Sequence, residues 1–227
     1  MIWTSRARNG TGCCSRRRVS RSRDGDRGAK GEGREPMSRL FVAIAVPDEV
    51  KAQMERVQGE LRRAAPAARI GWTRPEQFHL TLKFLGNVDA QRIEDLAEAV
   101  CGVCREFAPL HLRAQQVGAF PNFRKPRIIW VGLNDAQDRL APLQAAVELA
   151  CRNFTAEESQ ERFTGHVTLA RVKTINHADV SSLAAAALTW TQRVLGAWTA
   201  GQVELRESQL SSEGAKHTLL KTIPLAA

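Results

Sequence analysis

No stretch of this 227-residue sequence approaches the run of about 18 apolar residues that a transmembrane helix needs, so an ordinary membrane span is excluded. The N-terminus lacks the apolar core of a secretory signal. Cysteine is scarce and odd in number: the five are Cys13, Cys14, Cys101, Cys104 and Cys151, a usage that suits a reducing cytoplasm better than a disulfide framework. Cys101-Gly102-Val103-Cys104 is a single C-x-x-C with no second pair to complete a zinc site, and it falls inside a helical pattern. It reads as small residues facing a core. No His, Asp and Glu cluster has metal-ligand spacing either. With 43% hydrophobic and 25% charged residues, the chain has the composition of a globular protein able to bury a core.

The formal net charge of +9 invites a polyanionic partner, but the charge is unevenly placed. Residues 1–36 hold ten basic and four acidic side chains, a net +6, which leaves only +3 for the remaining 191 residues. Charge alone therefore does not make the body a nucleic-acid binder. The same 36 residues contain six glycines and no apolar period, too little to offset the entropy of ordering. They read as a disordered basic extension: a solvated tail or an upstream stretch outside the natural chain, in preference to a basic arm that touches RNA. Met37, directly before a strand signal, is the expected start of the folded domain over 37–227.

Within that body, Leu40 to Val46 is a short apolar run ended by Pro47, a buried strand. Asp48 to about Arg63 has helical period with Val50, Met54, Val57 and Leu61 on one face. Gln77 to Leu85 reads as a strand closed by Gly86-Asn87. Asp89 to Phe107 and Asp135 to Asn153 read as helices, with Ile93, Leu96 and Val100 inward in the first and Leu140, Leu143, Val147 and Ala150 in the second. Leu110 to Val117, Arg127 to Leu133 and His166 to Val172 are strands, and Asp179 to Thr189 is a weaker helix. Val194 to Leu205 and His217 to Ile223 complete the strand candidates. This mixture of strands and helices predicts class α+β.

Two segments repeat one pattern 87 residues apart: His79-Leu80-Thr81-Leu82 and His166-Val167-Thr168-Leu169. In a strand, side chains alternate between faces, so each His shares a face with its Thr while the apolar residues anchor the other. Histidine titrates near neutral pH without help. Two of them can divide the acid and base roles of one reaction, and a threonine hydroxyl can donate to an anionic oxygen beside them. In-line phosphoryl transfer needs one group to activate the nucleophile and another to protonate the leaving oxygen. Two similar lobes facing each other would bring both motifs into one cleft. His111 and His177 lack a Thr two residues on and read as structural or surface residues.

These residues resemble the two-histidine phosphoesterase superfamily, and in particular its RNA 2′,3′-cyclic phosphodiesterases, also called 2′-5′ RNA ligases. Arg39 to Ile44 is similar to the family's first strand. Trp72 to Gly86 resembles its first motif with its flanks, Phe120-Pro121 and Pro126 to Leu133 its central loop and strand, and Phe163 to Arg171 its second motif. The run Leu205 to Leu225 resembles its final hairpin, where the family often carries Tyr; this chain has no Tyr, and His217 stands near that place. The resemblance implies a bilobal α+β fold of two pseudo-symmetric lobes, with antiparallel sheets, outer helices and a central cleft. It implies hydrolysis of 2′,3′-cyclic phosphate RNA ends to 2′-phosphomonoesters, with His79 as proton donor, His166 as proton acceptor, and Thr81 and Thr168 binding the phosphate. It implies no metal and no other cofactor. The expected partner is RNA with a 2′,3′-cyclic phosphate end, tRNA fragments among them, met by a cytoplasmic monomer away from membranes.

Further RNA contacts are expected at Lys83, which alternation places on the face of His79 and Thr81, and at Phe120 and Arg127 in a loop that interleaves aromatics with cations. Arg171 is a weaker candidate, because alternation turns it away from Thr168. Two other readings keep the same residues: ATP-independent 2′-5′ ligation, and a protein that grips RNA ends without catalysis.

Overall fold

The computed structural model describes residues 37–156, 162–211 and 214–226. The basic extension over 1–36, with Cys13 and Cys14, lies outside them. Nine strands form two antiparallel sheets among the described residues. The first sheet holds β1 (Met37–Ala45), β3 (His79–Asp89), β8 (Gln202–Ser211) and β9 (Gly214–Pro224) in the order β3-β1-β8-β9. The second holds β2 (Arg69–Trp72), β4 (Leu110–Phe120), β5 (Ile128–Asp135), β6 (His166–Thr174) and β7 (Val194–Ala200) in the order β2-β6-β5-β4-β7.

Four helices cover these sheets: α1 (Asp48–Ala64), α2 (Ile93–Cys104), α3 (Leu140–Cys151) and α4 (His177–Leu188). Helix α1 forms where the period predicts it. Asp48 and Glu49 open it and Arg62 and Arg63 close it, charges that complement the helix dipole. Val50, Met54, Val57 and Leu61 are buried along one face. Although α1 follows a strand of the first sheet, it packs on α4 and on β7 of the second; α3 follows β5 of the second sheet and packs on α2 and on β3 of the first. The chain thus weaves between the lobes, and one continuous core joins them. The sheets also meet directly at β3 and β6.

Several boundaries differ from the sequence reading, each for a physical reason. The run Val194 to Leu205 is two strands in different sheets, broken at Gly201. Both halves are apolar because Leu195, Ala200, Val203 and Leu205 are all buried, so periodicity carries no sign of the crossing. Gly86-Asn87 does not end its strand. Gly86 takes φ +64, and the register jumps from Leu40↔Gly86 to Phe41↔Phe84, a bulge within a strand that runs on to Asp89. Asp135 ends β5 rather than opening a helix; its carboxylate accepts from the Arg139 amide at 2.8 Å, and α3 starts at Leu140. The short edge strand β2, with Gly71 inside it, carries no periodic signal.

Candidate functional site

The two His-x-Thr motifs begin β3 and β6, strands of different sheets, and both line a single cleft of about 710 Å³. Each histidine is held in the same way. His79 Nδ1 lies 2.6 Å from the carbonyl of Gln77, and His166 Nδ1 lies 2.7 Å from the carbonyl of Thr164, in both cases two residues back. A carbonyl only accepts, so each Nδ1 carries the proton and each neutral ring keeps Nε2 as an acceptor. The approach to His166 is fixed by Gly165, where a side chain would come within 2.8 Å of the Leu133 carbonyl.

Aromatic rings pack against both imidazoles. Phe41 lies 4.8 Å from His79, centroid to centroid, and Phe120 lies 5.0 Å from His166 with its ring nearly perpendicular. Trp130 backs Phe120 at 5.1 Å and His166 at 6.4 Å. Burial pushes the pKa of His79 down to about 4, helped by His217, Arg206 and His166 and opposed by the bond to Gln77. Burial also lowers His166, against the bond to Thr164. Desolvation of this kind disfavours the charged imidazolium.

After each Thr the strand makes the same irregularity. Val42 pairs with Lys83 but Ala43 with Thr81, so Leu82 is an extra residue; Ile129 pairs with Ala170 but Trp130 with Thr168, so Leu169 is extra. The burial pattern is identical along His79–Phe84 and His166–Arg171: half-buried, buried, half-buried, buried, buried, exposed. Simple alternation therefore fails just beyond the threonines. Phe84 and Arg171, three residues past Thr81 and Thr168, line the cleft. Arg171 faces the site that alternation turned it from. Lys83 falls out of phase with Thr81. It still borders the cleft, but its side chain is only 4% exposed and forms an ion pair with Glu148 of α3.

Of the remaining sequence candidates, Phe120 lines the cleft, whereas Arg127 is exposed and absent from the lining. Arg127 serves through its backbone, donating to the Phe120 carbonyl at 2.8 Å and accepting from the Val172 amide at 2.9 Å. The structure adds cleft residues that the sequence reading did not single out for the site: Arg39, Phe41, Phe84, Arg162 and His217. Phe84 and Arg171 share one offset from their threonines, a symmetry readable in the repeat itself. Nothing in the sequence marks Arg39 or Arg162. Among the described residues no group of three or more His, Cys, Asp or Glu is gathered as a metal ion would require, and no helix is long and apolar enough to cross a membrane.

Comparison with known proteins agrees with this geometry. The family model described as "LigT like Phosphoesterase" matches residues 44–130, which include the first motif. The RNA 2′,3′-cyclic phosphodiesterase of Thermotoga maritima is 36% identical over 137 residues, 60% of this chain and 70% of the relative. The protein of the same name from Archaeoglobus fulgidus is 31% identical over 138 residues, 61% of this chain and 74% of that one. Among solved structures, TT0787 of Thermus thermophilus superposes with TM-score 0.66 at 26% identity, covering 82% of this chain and 97% of that one. Escherichia coli LigT, solved with 3′-AMP, shares the fold with TM-score 0.64 at 21% identity, covering 85% of this chain and 100% of that one. The two-lobed sheet arrangement, the paired His-x-Thr strands and these relatives agree: the chain belongs to the LigT-like phosphoesterases of the two-histidine superfamily.

Proposed function

We propose that this protein is an RNA 2′,3′-cyclic phosphodiesterase that opens the cyclic phosphate to a 2′-phosphomonoester by acid–base catalysis between His79 and His166. The observation that carries the reading is the equivalence of the two imidazoles. They come from opposing sheets into one cleft, each with Nδ1 on a carbonyl two residues back and Nε2 left for chemistry.

The balance of the step follows from that arrangement. His166 Nε2 takes a proton from water as the water oxygen bonds to phosphorus. The bond from phosphorus to the 3′ oxygen breaks, and protonated His79 gives its Nε2 proton to that oxygen, leaving a 3′ hydroxyl and a 2′ phosphate. Thr81 and Thr168 donate their hydroxyls to the non-bridging oxygens, where charge builds. Burial favours neutral His79, and the substrate's negative charge supplies the field that favours its imidazolium. Arg39, Arg162 and Arg171 line the same cleft and suit an RNA backbone. Phe84, 58% exposed, offers a face on which an unpaired base can stack. One chain supplies both motifs, which supports a monomeric enzyme.

The test is a short RNA ending in 2′,3′-cyclic phosphate, incubated with the protein and EDTA, with the product compared by phosphorus NMR and chromatography with authentic 2′-phosphate and 3′-phosphate ends. The expected product is the 2′-phosphomonoester. His79→Ala and His166→Ala should each slow its formation about 10²–10⁴-fold, the usual worth of a positioned proton-transfer group. The double variant should lose far less than the product of the two, since both act on one transition state. A 3′-phosphate product would reverse the two roles, and undiminished turnover in either variant would remove that histidine from the reaction.

A further inference from the structure

A third histidine belongs to this cleft. His217, on β9, lines it beside His79, with ring centroids 5.2 Å apart and the rings nearly perpendicular. Phe41 touches both imidazoles, at 4.8 Å from His79 and 4.9 Å from His217, so one phenyl ring fixes the pair. Gln77 ties them as well: its carbonyl holds His79 Nδ1, while its side-chain amide donates to the carbonyl of Ala215, two residues before His217.

The polar atoms of His217 are disposed differently from those of the other two. Its Nδ1 is sealed from solvent with no hydrogen-bond partner among the described residues, so Nε2 is the nitrogen left to face the cleft. A proton on Nδ1 would be a buried donor with nothing to receive it, which costs free energy; on Nε2 it meets water or ligand. Neutral His217 therefore carries its proton on Nε2, the tautomer opposite to that of His79 and His166. A ring of that form is not an acceptor toward the cleft. It is a fixed, uncharged donor. The charged and titratable groups around it are His79 on β3, Arg206 on β8 and the neighbouring Lys216 on its own strand, while β1 presents Phe41 and, in the lining of the same cleft, Arg39. Burial and Arg206 both oppose a charge on His217, which keeps it neutral near pH 7.

We propose that His217 is a third phosphate ligand of the cleft, donating its Nε2–H to a phosphoryl oxygen on the His79 side and thereby orienting the group for proton transfer from His79. The proposal rests on the reading of the cleft as a phosphodiester site. It gives the lobe around His79 one donor beyond Thr81, without adding a second titrating group to the reaction.

The experiment uses the intact protein with ring-15N histidine at pH 7.5 and inorganic phosphate as probe. The 15N shifts should show the Nε2–H tautomer at His217 and the Nδ1–H tautomer at His79 and His166, and phosphate should move the His217 Nε2–H resonance at saturation. His217→Phe keeps the ring shape and removes the donor; it should weaken phosphate binding and raise KM for the cyclic-phosphate RNA by about 10- to 100-fold, the worth of one hydrogen bond to a charged oxygen. His217→Gln, which restores a neutral N–H, should recover most of that loss. An Nδ1–H tautomer at His217, no response to phosphate there, or wild-type phosphate affinity in His217→Phe would each overturn the proposal. Should His217→Phe fail to fold, the tautomer and titration on the unaltered protein decide alone. If the unaltered protein binds phosphate through His217 yet leaves the cyclic end uncut, this inference stands and the assigned activity falls.

Discussion

Leu82 and Leu169 hold the same place in two different sheets: each is the extra residue of a β-bulge directly after the threonine of a His-x-Thr motif. Both are buried, at 3% and 0% exposure, and each returns the next residue but one to the cleft face. Bulges commonly re-aim a side chain next to an active site. Here the re-aimed pair is Phe84 and Arg171, an aromatic on one lobe and a cation on the other, so the cleft presents different chemistry at its two equivalent corners.

The bulge reverses the order in which sequence spacing ranks two arginines, Arg171 below Arg127. Arg171→Gln should raise KM for RNA and flatten its salt dependence, since one cation that lines the cleft is lost. Arg127→Gln should leave both near the wild-type values, because the Arg127 side chain is outside the cleft lining and its structural role is carried by its backbone. Steady-state kinetics between low and moderate salt checks this; equal effects of the two changes would return Arg127 to the site.

The threonines allow a test of binding against structure. Thr81 and Thr168 are half-buried and line the cleft, and among the described residues neither hydroxyl has a hydrogen-bond partner. Removing an unused hydroxyl costs the fold little. Thr81→Val and Thr168→Val, nearly isosteric, should each lose about 1.5–3 kcal/mol of transition-state stabilisation, the value of a hydrogen bond to a charged group. Thermal unfolding should move little. Loss of melting temperature without loss of kcat/KM would make the threonines structural.

How much of this is legible in the sequence follows from what periodicity can carry. Helix α1 is readable because its inner residues repeat at one helical interval on one face, β1 because it is a continuous apolar run buried on both faces, and the first half of β4 because its residues alternate. The catalytic candidates are readable because a rare pattern occurs twice. The bulges at Leu82 and Leu169 are not, since a bulge changes pairing with a neighbouring strand and leaves no local mark. Alternation misplaces Lys83 for the same reason, and its partner Glu148 lies 65 residues away on α3. His217 reaches His79 only because the last hairpin returns to the first sheet, a matter of strand order.

Stability should depend on pH through the half-buried imidazoles of the cleft. His79 titrates at about 4 in the fold, against an ordinary value of 6.5, and His166 and His217 are lowered in the same direction. Above the ordinary histidine value both folded and unfolded chains are neutral at these sites. As pH falls below 6.5 the unfolded chain takes up protons first, so the unfolding free energy drops; for His79 the loss levels off below about 4. Urea midpoints should therefore fall between pH 7.5 and 4.5, and His79→Phe should reduce that slope. Phosphate, which favours the imidazolium, should protect more at pH 5.5 than at pH 8. Turnover should follow a bell whose limbs belong to the coupled histidines together.

The final prediction concerns a residue with no side chain. Gly118 pairs with Trp130 across β4 and β5, and the indole lies directly over it, so a methyl at 118 would overlap the ring. Trp130 in turn supports Phe120 and His166. Gly118→Ala must push the indole toward that pair. Overpacking of this kind costs about 1–3 kcal/mol of stability, and displacing a catalytic group by even about 1 Å can cost on the order of 100-fold in rate. The variant should thus lose kcat at a temperature where it is still fully folded by circular dichroism. Trimming the ring separates the two effects. Trp130→Leu alone removes support from His166, but in the Gly118→Ala background it also relieves the clash. The double variant should therefore be more active than the two single losses multiplied would give, a coupling expected only for side chains in contact. Strictly multiplicative losses would mean that the indole is free to move without disturbing His166.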